Sequence, residues 1–505
     1  MEIKALETSV KFETSDSFLG ALYGAADTVL KGNVKDFGGR PVLIEGGGYN
    51  SIWIETQPMG GEMYAKRNME AAVNNVSLFM DYQHENGRYP YRISVVEGKP
   101  EPAFSQFQGF CFPYHALNLY YWGKKRSAGY LDKLYRSLEA FDAYLWKYRD
   151  SDGDGCLEIW CPLDTGEDHS NRFAGATEAR WSWPGETPPA DDPVFPIESM
   201  DVMGYSHDAR LTLAKLSRLL GNGKEAGWNG KAAEVRWKIR SYLWDESRDA
   251  CYDRGKDNRF MPALQHNNLR VMYHHAFSAD MARRFLTRHL LNPDEFFTPM
   301  PLPSIAVNNP VFRNISENNW SGQCEGLSYQ RAIRALENYG FYSEMALLGG
   351  KLIDCVGKRN TFPQQFDPFT GEFSEADKRT TYGPTALSVL EYISRFYGVH
   401  LQFDEIWWGA LGRKDQEISY TQTWDGDEYT VETGKNGVTG LLNGREIFRG
   451  PAGLRVLSDW EGRVKSAANM SAEALEGEFS ANGEKRRFRL GPDEVLGFPS
   501  GGFEE

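Results

Sequence analysis

The sequence predicts a mainly α-helical fold of paired helices over residues 1–400, followed by a smaller β-rich module over residues 401–505. Three observations lead to that class. Apolar residues recur at spacings of three and four through most of the first 400 residues, as helices with one buried stripe require. Long connections rich in Trp, Tyr, Pro and charge separate these runs. Beyond His400 the apolar period changes to two, the period of a strand.

The clearest helix is "LDKLYRSLEAFDAYL", in which Leu131, Leu134, Leu138, Phe141 and Leu145 share one face before the chain stops at the turn-forming "RDSDGDG". The same alternation of helical run and Gly, Pro, Asn or Asp punctuation recurs at "KRNMEAAVNNVSLFMDYQHENG", "HDARLTLAKLSRLLGNG", "KAAEVRWKIRSYLWDES", "SYQRAIRALENYG", "SEMALLGGKLIDCVGK" and "PTALSVLEYISRFYG". Loops as long as those between them are uncommon unless they carry function, so the chemistry is expected on the loops and the scaffold in the helices. In "EISYTQTWDGDEYTVE", Ile418, Tyr420, Gln422 and Trp424 alternate up to Asp425-Gly426-Asp427, and Tyr429 and Val431 resume beyond, which predicts a hairpin. "KRRFRLGPDEVLGF" also reads as strand.

The bulk properties narrow the partner. A formal charge of −14 opposes nucleic acid. The N-terminus lacks a basic and then apolar leader, and no run of about 18 apolar residues occurs, so a soluble protein with no membrane partner is expected. It would be cytoplasmic or, if a signal peptide has been trimmed, periplasmic. Cys111, Cys156, Cys161, Cys251, Cys324 and Cys355 show no metal spacing and are expected as free thiols. Among 14 Trp, 25 Tyr and 29 Phe, most must fill the core, and some could stack on a ligand with apolar faces.

Ionisable residues concentrate in "PLDTGEDHSNRFAG", with Asp164, Glu167, Asp168, His169 and Arg172 within one short loop. Two more loops, "ENNWSGQCEGLSYQ" and "NTFPQQFDPFTGEF", combine aromatic and polar residues in the same way, and three such loops on a helical scaffold suggest the rim of a carbohydrate cleft. "RDSDGDGCLE" places Asp150, Asp152 and Asp154 at alternate positions, but the twelfth loop position is Cys161 where a calcium loop needs a bidentate Glu. It is read as an Asp/Gly turn; neither a metal nor another cofactor is expected.

The three loops resemble the motifs of glycoside hydrolase family 63 and its trehalase relatives. "DTGEDHSNRF" is similar to the family's E-S-G-x-D, whose last Asp is the general acid; that position is Asp168, and Asp164 stands where the family has Glu. "NNWSGQCEG" resembles Y-W-R-G-x-x-W, matching at Trp320 and Gly322, with Ser321 in place of Arg and Glu325 in place of Trp. "QQFDPFTGEF" resembles E-x-Y-N-P-x-T-G, in which the Glu is the general base; that position is Gln364. The resemblance implies an (α/α)6 barrel and an inverting glycosidase acting on an α-linked glucosyl-type or related sugar in a small glycoside or oligosaccharide.

An inverting glycosidase needs a protonated carboxyl at the leaving oxygen and a second carboxylate about 6.5 to 9.5 Å away to activate water. Gln364 cannot take that proton. Three readings follow: an engineered Glu to Gln change, a base moved to Glu325 or another carboxylate, or a phosphorylase in which phosphate attacks. The last would need cations, and Lys358, Arg359, Lys378 and Arg379 flank the motif, although they read first as solvated loop charge. A catalytically silent sugar-binding protein is the remaining alternative. The substrate-binding candidates are Trp53, Glu55, Arg88, Gln106, Gln108, Arg172, Asp201, Trp320 and Tyr382, with Trp181 and Trp183 as weaker stacking candidates and Asp201 equally readable as a helix-start residue.

Overall fold

The computed structural model describes Ile3 and residues 6–110, 112–176, 186–317, 319–374 and 380–498. Twelve α-helices follow one another among these residues: α1 (Ser17–Gly32), α2 (Gln57–Tyr64), α3 (Met69–Asp81), α4 (Pro113–Trp122), α5 (Ala128–Tyr148), α6 (Met200–Leu220), α7 (Glu225–Lys238), α8 (Asn268–Tyr273), α9 (Ala279–Phe285), α10 (Gly326–Glu337), α11 (Tyr342–Gly357) and α12 (Gly383–Tyr397). Short polar side chains start several of them. Asp16 accepts from the Phe18 and Leu19 amides, Asn68 from Ala71 and Ser127 from Tyr130. Gly221, left-handed at φ 63, closes α6.

The even-numbered helices touch in the order α2, α4, α6, α8, α10, α12 and back to α2, so they form a closed inner ring. Every residue of α2, α4, α8 and α12 is buried. The odd helices lie outside this ring; α5, for instance, buries one stripe, with Leu131, Leu134, Leu138, Phe141 and Leu145 together, whereas α3 is buried over most of its length. This is the (α/α)6 barrel.

The two ends of the barrel differ. At one end each even helix passes to the next odd helix through four or five residues, at 65–68, 123–127, 221–224, 274–278 and 338–341. At the other end the connections from odd to even helices are long, and 33–56, 82–112, 149–199 and 358–382 are four of them. The three loops singled out in the sequence are all of this second kind, so the fold gathers them at one mouth.

The C-terminal module is two packed antiparallel sheets. One orders its strands Val399–Gln402, Glu405–Ala410, Leu454–Ser458, Val464–Asn469 and Val495–Gly497. The other runs Thr8–Thr14, Ile418–Trp424, Asp427–Gly434, Gly437–Leu442, Arg445–Gly450, Leu475–Ala481 and Glu484–Leu490. Trp408 of the first sheet meets Tyr429 and Phe448 of the second. The expected hairpin is present, closed by Asp425 and Gly426 at φ 52 and 86, which suits the right-handed twist of a tight hairpin.

One boundary needs correction. Residues 1–400 do not all belong to the barrel, because Thr8–Thr14 pairs along its whole length with Ile418–Trp424 and forms the edge of the C-terminal sheet. The period-two alternation of that strand was too short to stand out beside α1. A buried ionic cluster joins barrel and module: Arg455 lies 2.6 Å from Glu337, which also holds Arg395, and Arg395 shares Glu391 with Lys66. Burial drives the Lys66 ammonium down to about 7, and Glu391 only partly opposes it. Among the described residues no helix is long and apolar enough to cross a membrane.

Candidate active site

The loop between α5 and α6 divides its ionisable groups by burial. Asp164 is fixed beneath the loop by Arg149 at 2.8 Å and by the Trp160 amide at 2.7 Å. Glu167 turns inward to Arg172, whose guanidinium also holds Asp201 at 2.6 Å and Asp253 at 2.7 Å. Burial opposes ionisation of Glu167, but Arg172 and Arg270 outweigh it and hold the carboxyl well below the usual range. Between these anchors Gly166 takes a left-handed φ of 70, and Asp168 is left facing the barrel mouth. The concentration of charge in this loop is mostly the means of holding one carboxyl in place.

The loop before α10 is stapled to it. The Trp320 amide donates to the Asp168 carbonyl at 3.1 Å, and Ser170 Oγ donates back to the Trp320 carbonyl at 2.8 Å. Ser321 Oγ accepts from the Asn171 amide at 2.8 Å and donates to the His169 carbonyl at 3.2 Å. Ser321, which stands where the resembling motif has Arg, is thus a loop-to-loop link. The third loop is pinned at two successive carbonyls: the Gly326 amide donates to the Gln364 carbonyl at 2.9 Å, and Thr385 Oγ1 to the Pro363 carbonyl at 2.6 Å.

With the connections 33–56 and 82–112, these loops surround a cavity of 160 Å³ lined by Glu45, Tyr49, Trp53, Glu55, Gln106, Gln108, Leu163, Gly166, Asp168, Trp320, Leu327, Gln364 and Tyr382. Eight candidates chosen from the sequence, Trp53, Glu55, Gln106, Gln108, Asp168, Trp320, Gln364 and Tyr382, therefore meet in one place. Tyr49 Oη donates to Gln364 Oε1 at 3.2 Å, and Tyr382 Oη donates to Glu45 Oε1 at 2.8 Å. Trp53 Nε1 and Gln108 Oε1 have no hydrogen-bond partner among the described residues. Burial raises the Glu55 carboxyl, and the charges of Asp168 and Glu167 add to it; Arg331, 3.5 Å away, and Arg270 pull the other way.

Four candidates lie elsewhere. Arg172 and Asp201 are wholly buried against each other, and Asp201 sits in the first turn of α6, the helix-start role. Arg88 donates to the Phe104 and Gln106 carbonyls and so shapes the segment carrying Gln106 without lining the cavity. Glu325 is fully buried opposite Gln365, whose amide donates to it, and does not line the cavity. Lys358 and Arg359 do not line it either, and Arg359 pairs with Glu372. Lys378, Arg379, Trp181, Trp183 and Cys111 lie outside the described residues.

Sequence reasoning missed Glu45 and Tyr49. The available signal was "EGGGYN": Gly46, Gly47 and Gly48 all take positive φ, and a Cβ on Gly46 would fall 2.1 Å from Asn33 Nδ2 and 2.7 Å from the Thr381 carbonyl. The run presses the backbone against α12's entry and presents the residues on either side to the cavity. Asp150, Asp152 and Asp154 bring carboxylate oxygens within 4.8 Å of one another and could hold a cation, and the Lys238 ammonium stands 2.9 Å from Asp154. The described cysteines are thiols.

Fold and cavity together define an (α/α)6-barrel protein of the glycosidase type. Residues 63–384 match the model of the mannosylglycerate hydrolase MGH1-like glycoside hydrolase domain, and the chain belongs to that family. Its fold is similar to that of a family 63 mannosylglycerate hydrolase from Thermus thermophilus solved with glucose, at TM-score 0.58 and 15% identity over 74% of this chain and 99% of that one. It is similar also to the neutral trehalase of Saccharomyces cerevisiae, at TM-score 0.53 and 13% identity over 70% and 74% of the two chains. A protein described as a sialidase matches at TM-score 0.67 and 13% identity over 89% of this chain and 41% of its own. No curated protein matches the chain.

Proposed function

We propose that this glycoside hydrolase cleaves an α-linked glycoside, of glucosyl type or a related sugar, with inversion at the anomeric carbon. Asp168 donates its proton to the leaving oxygen, and water attacks from the wall formed by Gln364. The observation that carries the reading is that Asp168 and Gln364, on connections far apart in sequence, line one cavity together with Trp53 and Trp320. Indole faces match the apolar faces of a sugar ring, and the polar groups between them match its hydroxyls. Glu55, Gln106, Gln108 and Tyr382 fix the sugar; Gln364, an amide that accepts from Tyr49 and donates through its own N–H, orients the water without taking its proton.

A panel of α-glucosides and α-mannosides, with mannosylglycerate among them, tests the reading. On an unactivated substrate from that panel, Asp168→Asn should lower kcat by about 10² to 10⁴ while leaving sugar affinity nearly unchanged, the usual contribution of a general acid. Near-parental turnover by that variant would remove Asp168 from the mechanism.

A further inference from the structure

An inverting hydrolase must dispose of the proton of its attacking water, and the amide at position 364 cannot receive it. The cavity holds three carboxylates among the described residues, Glu45, Glu55 and Asp168. Glu55 belongs to the acid's side: a Cβ on Gly166, two residues before Asp168, would overlap its carboxylate, and the Asp168 charge acts on it directly. Glu45 belongs to the other side. Its carboxylate accepts from Tyr382 Oη, the Tyr382 ring lies 6.2 Å edge-on from that of Tyr49, and Tyr49 Oη bonds Gln364.

Two tyrosines thus join the Glu45 carboxylate to the Gln364 amide in one continuous wall. The backbone holding it is built tightly: Gly46 packs against Asn33 and Gly47 against Tyr382, and the Glu45 carbonyl accepts from the Gly383 amide at 2.7 Å. From this arrangement, and resting on the hydrolase reading above, we infer that Glu45 is the general base of the reaction. The water oxygen bonds to the anomeric carbon as the bond from that carbon to the leaving oxygen breaks. The leaving oxygen takes the Asp168 proton, and the water proton passes to Glu45. Gln364 and Tyr49 hold the water, so the work of one carboxylate is divided between an amide that orients and a neighbouring carboxylate that accepts.

The test uses the full chain with α-glucosyl fluoride and α-mannosyl fluoride, whose leaving group needs little acid assistance, so that the base is read separately from Asp168. Glu45→Gln should lower kcat by about 10² to 10⁴, shift KM by no more than about threefold, and abolish the fall of kcat/KM on the acid side of the pH profile. Azide, a nucleophile with no proton to lose, should restore turnover of Glu45→Ala and give the β-glycosyl azide; rescue also shows that the variant is folded. Glu45→Gln turning over within about threefold of the parent would overturn the assignment, as would a loss that azide does not rescue, or rescue confined to Glu55→Ala. A parent chain inert on both fluorides and on the glycoside panel would instead overturn the hydrolase reading itself.

Discussion

Gly166 shows how a single backbone conformation sets the cavity. With its φ of 70 and the Glu55 carboxylate 1.9 Å from where a Cβ would stand, any other residue here strains the backbone and must push Glu55 aside. Gly166→Ala should cost roughly 1–2 kcal/mol for the left-handed backbone alone, and moving Glu55 and Asp168 apart should lower kcat by at least about tenfold; chemical denaturation and steady-state kinetics check the two effects. Two residues beyond Ser170, Arg172 balances three buried carboxylates and does not line the cavity. Arg172→Met should therefore destabilise by about 3–5 kcal/mol, the cost of leaving buried charge uncompensated, measured as a shift in denaturation midpoint. The sequence made Arg172 and Asp168 look alike, as polar residues of one loop. Burial decides which of them can face a ligand, because an arginine that lines a cavity and one that is fully paired inside carry the same letter code.

At the level of elements, the outer helices α3, α5, α7 and α11 could be read and several inner ones could not. The stripe of α5 is visible since its other face is wet, whereas α2, α4 and α8 are buried all round and have no polar face to give a period. "QPMGGEMY" and "PYHALNLYYW" accordingly read as connections. The short strands bracketing the Asp168 loop offer a titration test. Glu198 faces Glu158 across their pair, and burial, with Asp154 and Asp152 adding, raises its carboxyl to about 7 against an ordinary 4.5. A raised carboxyl binds its proton more tightly folded than unfolded, so it lowers stability as pH rises from about 4.5 to about 7. Glu198→Gln should match the parent below that window and become progressively more stable through it, followed by thermal melts in EDTA. A difference that stays constant with pH would contradict the shift.

For the molecule as a whole, the barrel and its module are one interlocked unit. The first strand lies in the last sheet, Gln422 Nε2 bonds both the Ser9 and Lys66 carbonyls, and Arg455 reaches Glu337 of α10. Removing residues 1–15 should uncover the edge of Ile418–Trp424, lower Tm and promote self-association through that edge, seen by scanning calorimetry and light scattering. The mouth where the long connections converge was legible from their composition and their order along the chain, and eight residues chosen from those connections or from the resemblance to the family motifs line the cavity. Glu45 and Tyr49 were not, because a run of glycines announces a turn and says nothing of what the turn presents. Proton NMR of the sugar released in the first minutes from an α-linked substrate tests the account most directly: it predicts the β-anomer, followed by slow mutarotation, and the α-anomer appearing first would contradict it.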